Sequence, residues 1–444
     1  MIRQAIDRYL HRHDETYKMY DFLKRTKGWS YEQHRDYQLK AVADLWEHAI
    51  HHVPYYKRLA DSLQLYRIDT WEDYARIPIL TKDIVRQNFE DLLADNLPKS
   101  RFVKNSTSGS SGSNFYFYSD SRQAAIQNAY NLYKFNVMGL DYFQCRKMSI
   151  WGSSFDVNKS KSSWKNRAML HLKRLTAISE YELSEEKMAE IVKLIQRKKP
   201  QALQSYPSIF MHLAQYIQKQ GLTVHIPCMY TGGEKLFPDQ RQEIETAFHG
   251  RLYDYYGARD MPCIGMSCQK SNKIHVFQEN VVFEVVDNDG KPMDCGMGDI
   301  IVTNLHNYVM PFFRYRIGDQ AQLQPHGGVC ACGNDSQVID EIIGRKFEII
   351  TFPNGNSVGG TFWTLLLRAT KGIKDFQVIQ NTKDTIDIYY VPDGVFEETF
   401  KQSIVEKIVE KGGNEVSVTF HEVERIAVTK AGKKQFVISK INKK

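Results

Sequence analysis

Apolar residues along this chain change their period from region to region, and the change divides it. In LWEHAIHHVPYYKRLADSL (45–63) they recur at helical spacing until Pro54 interrupts the run. The next stretch, DTWEDYARIPILTKDIVRQNFEDLL (69–93), offers Thr81 as the N-cap of a following helix. From about residue 120 to 250, helical patterns alternate with short apolar runs: MSIWG (148–152), ALQSY (202–206) and HIPCMYTGG (225–233). Such alternation predicts α/β layering. Between 274 and 324 the pattern becomes successive strands, with Asp289-Gly290 as a hairpin turn. Beyond Gly344-Arg345 the strands KDFQVIQ, TIDIYYV and EVSVTF and the helices GTFWTLLLRAT and EETFKQSIVEKIVEKG suffice for a small α+β unit. The expected architecture is α/β, with a large multi-layer domain over 1–344 that includes a β-rich subdomain. A small α+β domain over 345–444 follows it.

Composition changes this picture little. The 444 residues, 42% hydrophobic and 25% charged, are those of an ordinary globular chain. Fifty-nine Lys and Arg against 52 Asp and Glu accommodate anionic ligands without requiring DNA or RNA, so no nucleic-acid partner is expected. No apolar run approaches the roughly 20 residues of a membrane span. Seven mostly scattered cysteines and the absence of a signal-peptide pattern lead to the expectation of a cytoplasmic protein. No internal repeat is evident.

Candidate chemistry begins at STSGSSGSNF (106–115), a Ser/Thr/Gly run that stops against the β-prone Phe115-Tyr116-Phe117-Tyr118. Gly-rich turns let backbone N–H groups converge, and hydroxyls add donors, which suits a pyrophosphate. The alternative for such a composition is a flexible linker. It is not a P-loop of the GxxxxGK[ST] kind, because no Lys follows Gly112. In YDYYGARD (253–260), Tyr255 and Tyr256 offer flat faces to a base and Gly257 permits close approach. Asp260 can ligate Mg²⁺ beside phosphates and Arg259 can neutralise one; the alternative is a tyrosine-rich core edge. YRIGD (315–319) is read as a strand followed by Asp319, a carboxylate able to accept from two ribose hydroxyls. In TKAGKKQFV (429–437), Lys433 can bring a cation to a reacting phosphate, or belong to a solvated basic tail.

Taken in order, TSGSSG (107–112), TGGE (231–234), YGARD, YRIGD, Gly344-Arg345 and the AGK lysine resemble the motif series of the adenylate-forming enzymes. VPYY (53–56), IPILTK (77–82) and YPS (206–208) look like the phenylacetate–CoA ligase branch, and the whole is most similar to its CapK-like members in capsular-polysaccharide biosynthesis. The resemblance implies a two-step reaction with ATP and Mg²⁺. A carboxylate attacks the α-phosphate to give an acyl-adenylate and pyrophosphate; a nucleophile, either CoA or an amine or sugar acceptor, then displaces AMP. It implies that Thr107, Ser108, Gly109, Ser110, Ser111 and Gly112 cradle pyrophosphate, and that Gly233 and Glu234 line the adenine pocket beside Tyr256 and Gly257. Asp319 would hold ribose, Arg345 would sit at the hinge of a mobile C-terminal domain, and Lys433 would bridge carboxylate and phosphate, with Arg259 beside it in the catalytic set. Trp151, Tyr206 and Tyr230 are candidates for the acid pocket, with core packing as their alternative. The pattern departs at Ser113 and Asn114, where a Lys and a Pro are usual, and at Arg259-Asp260, where Thr-Glu is usual. At the usual acidic hinge position stands Phe347, with Glu348 beside it.

Cys268, His275, Cys330 and Cys332 form C-x6-H followed later by C-x-C, a donor set suited to zinc, although paired zinc cysteines are more often separated by two residues. A similar Cys, His and CxCG arrangement in the resembled branch implies a structural zinc, with Cys263 as an alternative first ligand. Cys145, Cys228 and Cys295 read as ordinary thiols. The basic stretch KSKSSWKNRAMLHLKR (159–174) is either a solvated face or a landing place for an anionic acceptor, CoA phosphates or a membrane surface. The competing functional class is a catalytically silent nucleotide-binding protein that has kept the fold; Asp319 and Lys433 argue for the enzyme. The residues leave the acid, the acceptor and the oligomeric state open.

Overall fold

The computed structural model describes residues 2–108, 114–151, 164–178, 184–345, 350–358, 362–363, 366–367, 370, 372–428 and 434–441. Six helices come first: α1 (Ile2–Leu10), α2 (Thr16–Thr26), α3 (Tyr31–His52), α4 (Pro54–Leu63), α5 (Trp71–Ala75) and α6 (Lys82–Gln87). Their limits follow local chemistry. Ser30 and Gln33 form a reciprocal capping box that starts α3. Pro54 ends α3 and opens α4 at its first turn, where a missing N–H costs nothing. Thr81 caps α6 by accepting from the Ile84 amide, as its position predicts.

The aromatic run after the Ser/Thr/Gly loop does form a strand: β1 (Val103–Ser108) and β2 (Asn114–Ser119) pair as an antiparallel hairpin. Phe115 and Phe117 point inward with 0% and 2% exposure, while Tyr116 faces out, the period of a half-buried strand. Helix α7 (Ser121–Val137) follows, capped by Asp120.

The apolar runs predicted to alternate with helices become β3 (Lys147–Ile150), β4 (Leu175–Ile178), β5 (Ala202–Ser205), β6 (Cys228–Thr231) and β7 (Arg251–Tyr256). They pair in parallel, in the order β4-β3-β5-β6-β7. Helix α8 (Trp164–Leu172) links β3 to β4; α9 (Glu185–Lys198), α10 (Pro207–Lys219) and α11 (Pro238–Phe248) make the later crossovers. Both faces of this sheet are covered, as parallel strands require. Ala202, Cys228, Tyr230 and Tyr253 pack toward α2 and α7, and Leu203, Met229 and Leu252 pack toward α9, α10 and α11.

At β7 the sheet changes character. On its other side come antiparallel strands, giving the order β7-β8-β9-β14-β13-β12-β10-β11 within one twelve-stranded sheet of the described residues. These are β8 (Gly265–Ser267), β9 (Ile274–Val276), β10 (Val281–Val286), β11 (Pro292–Met293), β12 (Gly296–Asn304), β13 (Tyr315–Leu323) and β14 (Val338–Arg345). Gly290, at φ +81°, makes the turn between β10 and β11 expected of Asp289-Gly290. Helices α3 and α4 and the β1–β2 hairpin close over this half in a core that includes Trp46, Tyr56, Phe115, Phe313 and Tyr315.

From Ile350 onward a two-stranded ladder of β15 (Ile350–Thr351) and β16 (Ser357–Val358) precedes a separate four-stranded sheet, ordered β19 (Ser417–Glu422), β18 (Thr385–Pro392), β17 (Ile373–Gln380), β20 (Val437–Ser439). Helix α12 (Glu398–Gly412) packs on it around its own core of Phe352, Trp363, Phe376, Ile388 and Ile408. Among the described residues no helix is long and apolar enough to cross a membrane.

Phe115 seats the hairpin on the antiparallel half. Its ring is fully buried, stacked 6.1 Å from Tyr315, with the Lys82 ammonium 5.7 Å above it. Phe115→Ala is expected to cost about 3–5 kcal/mol. Calorimetric unfolding would read this as a clear fall in Tm; an unchanged midpoint would show that the hairpin is seated otherwise.

Candidate active site

Strands β3, β5, β6 and β7 are parallel, so the chain leaves all four at one edge, at Trp151, Tyr206, Gly232 and Gly257. In open α/β sheets the loops at the carboxyl ends of the strands are where ligands bind. Here that edge gathers motifs far apart in the sequence.

Two of them are joined by a hydrogen bond. The Tyr256 hydroxyl donates to Asp319 Oδ2 at 2.9 Å. Asp319 does not follow a strand, as YRIGD suggests, but lies within β13, which Tyr315 opens. Gly318 just before it sits at φ +99°, a left-handed conformation that side chains avoid. Across the ladder the Cα partner of Asp319 is Arg345 at the end of β14, although its side chain lies outside the described residues.

A second tie joins TGGE to YPS. Glu234 accepts from both the amide and the hydroxyl of Ser208, each at 3.1 Å, in the first turn of α10. A carboxylate there meets unpaired N–H groups and the positive end of the helix. Neighbouring Gly232 leaves no room for a side chain, because an added Cβ would stand 2.7 Å from the Tyr255 carbonyl oxygen. Gly233 turns at φ +82° and Gly257 faces the Cys263 amide closely.

The hairpin comes to the same edge. Arg259 Nη1 donates to the Ser106 carbonyl at 3.2 Å, tying YGARD to β1. Thr107 and Ser108 end β1 at the mouth of the hairpin; Gly109, Ser110, Ser111 and Gly112 lie outside the described residues. IPILTK joins as well: Leu80 bridges Tyr315, and Lys82 donates to the Ile317 carbonyl at 3.3 Å. Asp260, expected to face a cation, is buried, and its Oδ2 accepts from the Tyr315 hydroxyl at 2.7 Å.

The three aromatic candidates do not share one face. Trp151 and Tyr206 stack at 4.1 Å and pack toward α10. Tyr230 lies on the α7 face, where its hydroxyl donates to Gln204. Lys433, Phe347, Glu348 and residues 159–163 of the basic stretch lie outside the described residues. Close to Lys433 in sequence, Lys434 pairs with Asp375, and Phe436 stands edge-on to Phe237 at 6.5 Å, three residues after Glu234.

At the antiparallel end, the ligand atoms of Cys268, His275, Cys330 and Cys332 lie within 4.8 Å of one another. The Cys268 and Cys330 sulfurs are 3.9 Å apart, and Cys332 Sγ is 3.7 Å from His275 Nε2. A tetrahedral zinc with the usual bond lengths has edges of about 3.8 Å between sulfurs and about 3.6 Å from sulfur to nitrogen, so the four residues fit that ion. The second ring nitrogen of His275 lies 3.3 Å from Ser336 Oγ, orienting the ring, and the Lys270 amide points at Cys268 Sγ. A hydrogen bond from the Cys332 thiol, with His275 beside it, holds the Cys268 thiol well below its ordinary range. Cys263 is not part of the cluster; buried, it accepts from the Tyr255 hydroxyl at 2.9 Å. Cys145 and Cys228 are buried and Cys295 is exposed.

One charged residue escaped the motif reading. Lys134 of α7 is 5% exposed. Its only signal in the sequence is a lysine four positions after Tyr130, on the buried stripe of Ile126, Tyr130 and Tyr133.

With this geometry in place, comparison with known proteins is informative. A family model described as the CapK C-terminal domain matches residues 350–440. Protein CapK of Staphylococcus aureus is 25% identical over 381 residues, 82% of this chain and 80% of that protein. A phenylacetate–coenzyme A ligase of Thermus thermophilus is 24% identical over 219 residues, 48% of this chain and 49% of that protein. A 2-hydroxyisobutyryl-CoA ligase, solved in the postadenylation state with 2-HIB-AMP, superposes with a TM-score of 0.75 over 94% of this chain and 91% of that one, at 20% identity. The resemblance to the adenylate-forming superfamily, in its CapK and phenylacetate–CoA ligase branch, is borne out.

Gly232→Ala should force the Tyr255 carbonyl, and Tyr256 beside it, out of place. The expected cost is about 1–3 kcal/mol, read as a lower Tm; a variant as stable as the parent would mean the strand end yields freely.

Proposed function

We propose that this chain, a relative of CapK and of the phenylacetate–CoA ligases, is an AMP-forming ligase that activates a carboxylic acid with ATP and transfers the acyl group to CoA or to an amine or sugar acceptor. Its likeness to CapK favours a role in surface-polysaccharide biosynthesis. The observation that carries the proposal is the Tyr256–Asp319 hydrogen bond at the carboxyl edge of the parallel strands, where a base and a ribose can be held side by side.

In the first step a carboxylate oxygen of the acid attacks the α-phosphorus of ATP. The bond from that phosphorus to the bridging oxygen breaks, giving acyl-adenylate and pyrophosphate. Asp319 accepts from the ribose hydroxyls, its orientation set by Tyr256. Gly233 keeps the edge open to the adenine, and Glu234 fixes that loop through Ser208. The hydroxyls and amides of 107–112 receive the pyrophosphate, with Arg259 holding the hairpin against the site. Lys433 neutralises charge that develops as the two anions meet, a stabilisation greatest in the transition state. Asp260 is the residue that would hold Mg²⁺, which would supply positive charge beside the phosphates. In the second step a sulfur or nitrogen nucleophile attacks the acyl carbon and AMP departs with the bonding electron pair. Arg345, at the end of β14, is the hinge about which the C-terminal domain moves between steps.

The Cys268, His275, Cys330 and Cys332 cluster is assigned a structural zinc. It would tie the turn after β8 and strand β9 to the loop before β14, leaving no position for substrate.

Exchange of labelled pyrophosphate into ATP, run over aromatic, fatty, amino and uronic acids, tests the reaction. Acid-dependent exchange is expected, and Lys433→Ala should reduce it by at least a hundredfold while leaving the circular dichroism spectrum unchanged. No exchange with any acid would favour a silent nucleotide-binding protein, and near-normal exchange in Lys433→Ala would remove that residue from its role. Elemental analysis should find about one zinc per chain, lost from Cys330→Ser together with several degrees of Tm. A metal-free, fully stable parent protein would end the zinc assignment.

A further inference from the structure

The α7 face of the parallel sheet buries two lysines, and they differ in what receives their charge. Lys147 on β3 donates to the carbonyls of Tyr142 and Cys145, and its ammonium lies 3.9 Å from the centre of the Tyr142 ring. Lys134 has no such acceptor among the described residues. Its ammonium sits 4.2 Å from the centre of the Tyr255 ring and 5.3 Å from that of Tyr230. The ionisable neighbour that bears on it is the Cys263 thiol, which burial keeps in its neutral form.

An ammonium held in this way is costly to bury. Desolvation penalises the charged form, and the two ring faces offset part of that penalty. A leucine or methionine on α7 would fill the space without that cost. Burial pushes the Lys134 ammonium down to about 8, so it is still mostly charged at neutral pH. A buried cation lacking an internal anion is set to receive one from outside.

Its position says which molecule would bring it. Tyr230 lies two residues before Gly232 on β6, and Tyr255 lies immediately before Tyr256 on β7. The cage around the ammonium is therefore made by the two strands whose ends carry the proposed adenine and ribose contacts. To meet Lys134, an acid whose reacting carboxylate lies at those strand ends has to direct its remaining part toward α7.

We infer that Lys134 is a specificity residue that receives a second anionic group on the acid this chain activates, so that the substrate class is a dicarboxylic or otherwise doubly acidic molecule. The inference rests on the adenylation reading for the fate of the first carboxylate, but its test does not need turnover. Calorimetric titration of the full chain at pH 7 with the matched pairs benzoate and isophthalate, and hexanoate and adipate, reads the second charge directly. At least one dicarboxylate should bind tenfold or more tightly than its partner, and Lys134→Met should bring that ratio close to one. Equal binding within both pairs, or a preference that survives Lys134→Met, would overturn the inference. The preference of the unaltered chain stands as a test even if the variant fails to fold. Pyrophosphate exchange with the same four acids separates the two claims. Dicarboxylate-selective binding without exchange would sink adenylation and leave the anion site. Exchange driven equally by monocarboxylates and dicarboxylates would do the reverse.

Discussion

Strand β7 is bonded in parallel to β6 on one side and antiparallel to β8 on the other, and the rest of the site depends on that switch. A parallel strand must be buried on both faces and must deliver its carboxyl end beside those of its neighbours. An antiparallel strand can bring back distant chain through short connections. Because β7 does both, Tyr256 ends one half of the sheet within reach of Asp319 in the other. No local preference places a tyrosine from residue 256 against an aspartate from residue 319. The pairing order of the sheet does so.

Around this join, the small contacts share one logic: charges near the edge are held by groups that leave the edge itself open. Glu234 is turned to the start of α10 by Ser208, Arg259 to the Ser106 carbonyl, and Asp260 to Tyr315. Each tie fixes a backbone segment at that edge. The glycines beside them are there for space or for sign of φ, Gly232 against Tyr255 and Gly318 before Asp319. The Cys and His cluster stands apart from the edge. Its four ligand atoms come from two loops and a strand of the antiparallel half, and a shared ion would brace them together.

The C-terminal unit has its own sheet and its own core, and the family model of the CapK C-terminal domain spans it. Among the described residues, Phe436 of this unit stands edge-on to Phe237 of the larger part.

Much of this was legible in the residues. Helical spacing up to Pro54, the cap at Thr81, the apolar runs that became β3, β5 and β6, and the Asp289-Gly290 turn are local properties, set by side-chain period and backbone sterics within a few positions. The order of weak motifs was enough to display the resemblance to the adenylate-forming enzymes, because each motif is a short run that a sequence shows directly. Three matters needed the tertiary structure. Asp319 lies inside a strand because β12 and β14 flank it, which YRIGD cannot reveal. Cys268 rather than Cys263 joins the cluster because Tyr255 engages the other thiol. Lys134 is buried because α7 lays that side against Tyr230 and Tyr255, residues about a hundred positions away. Burial and partnership are properties of the packed chain; a sequence carries the groups but not the distances between them.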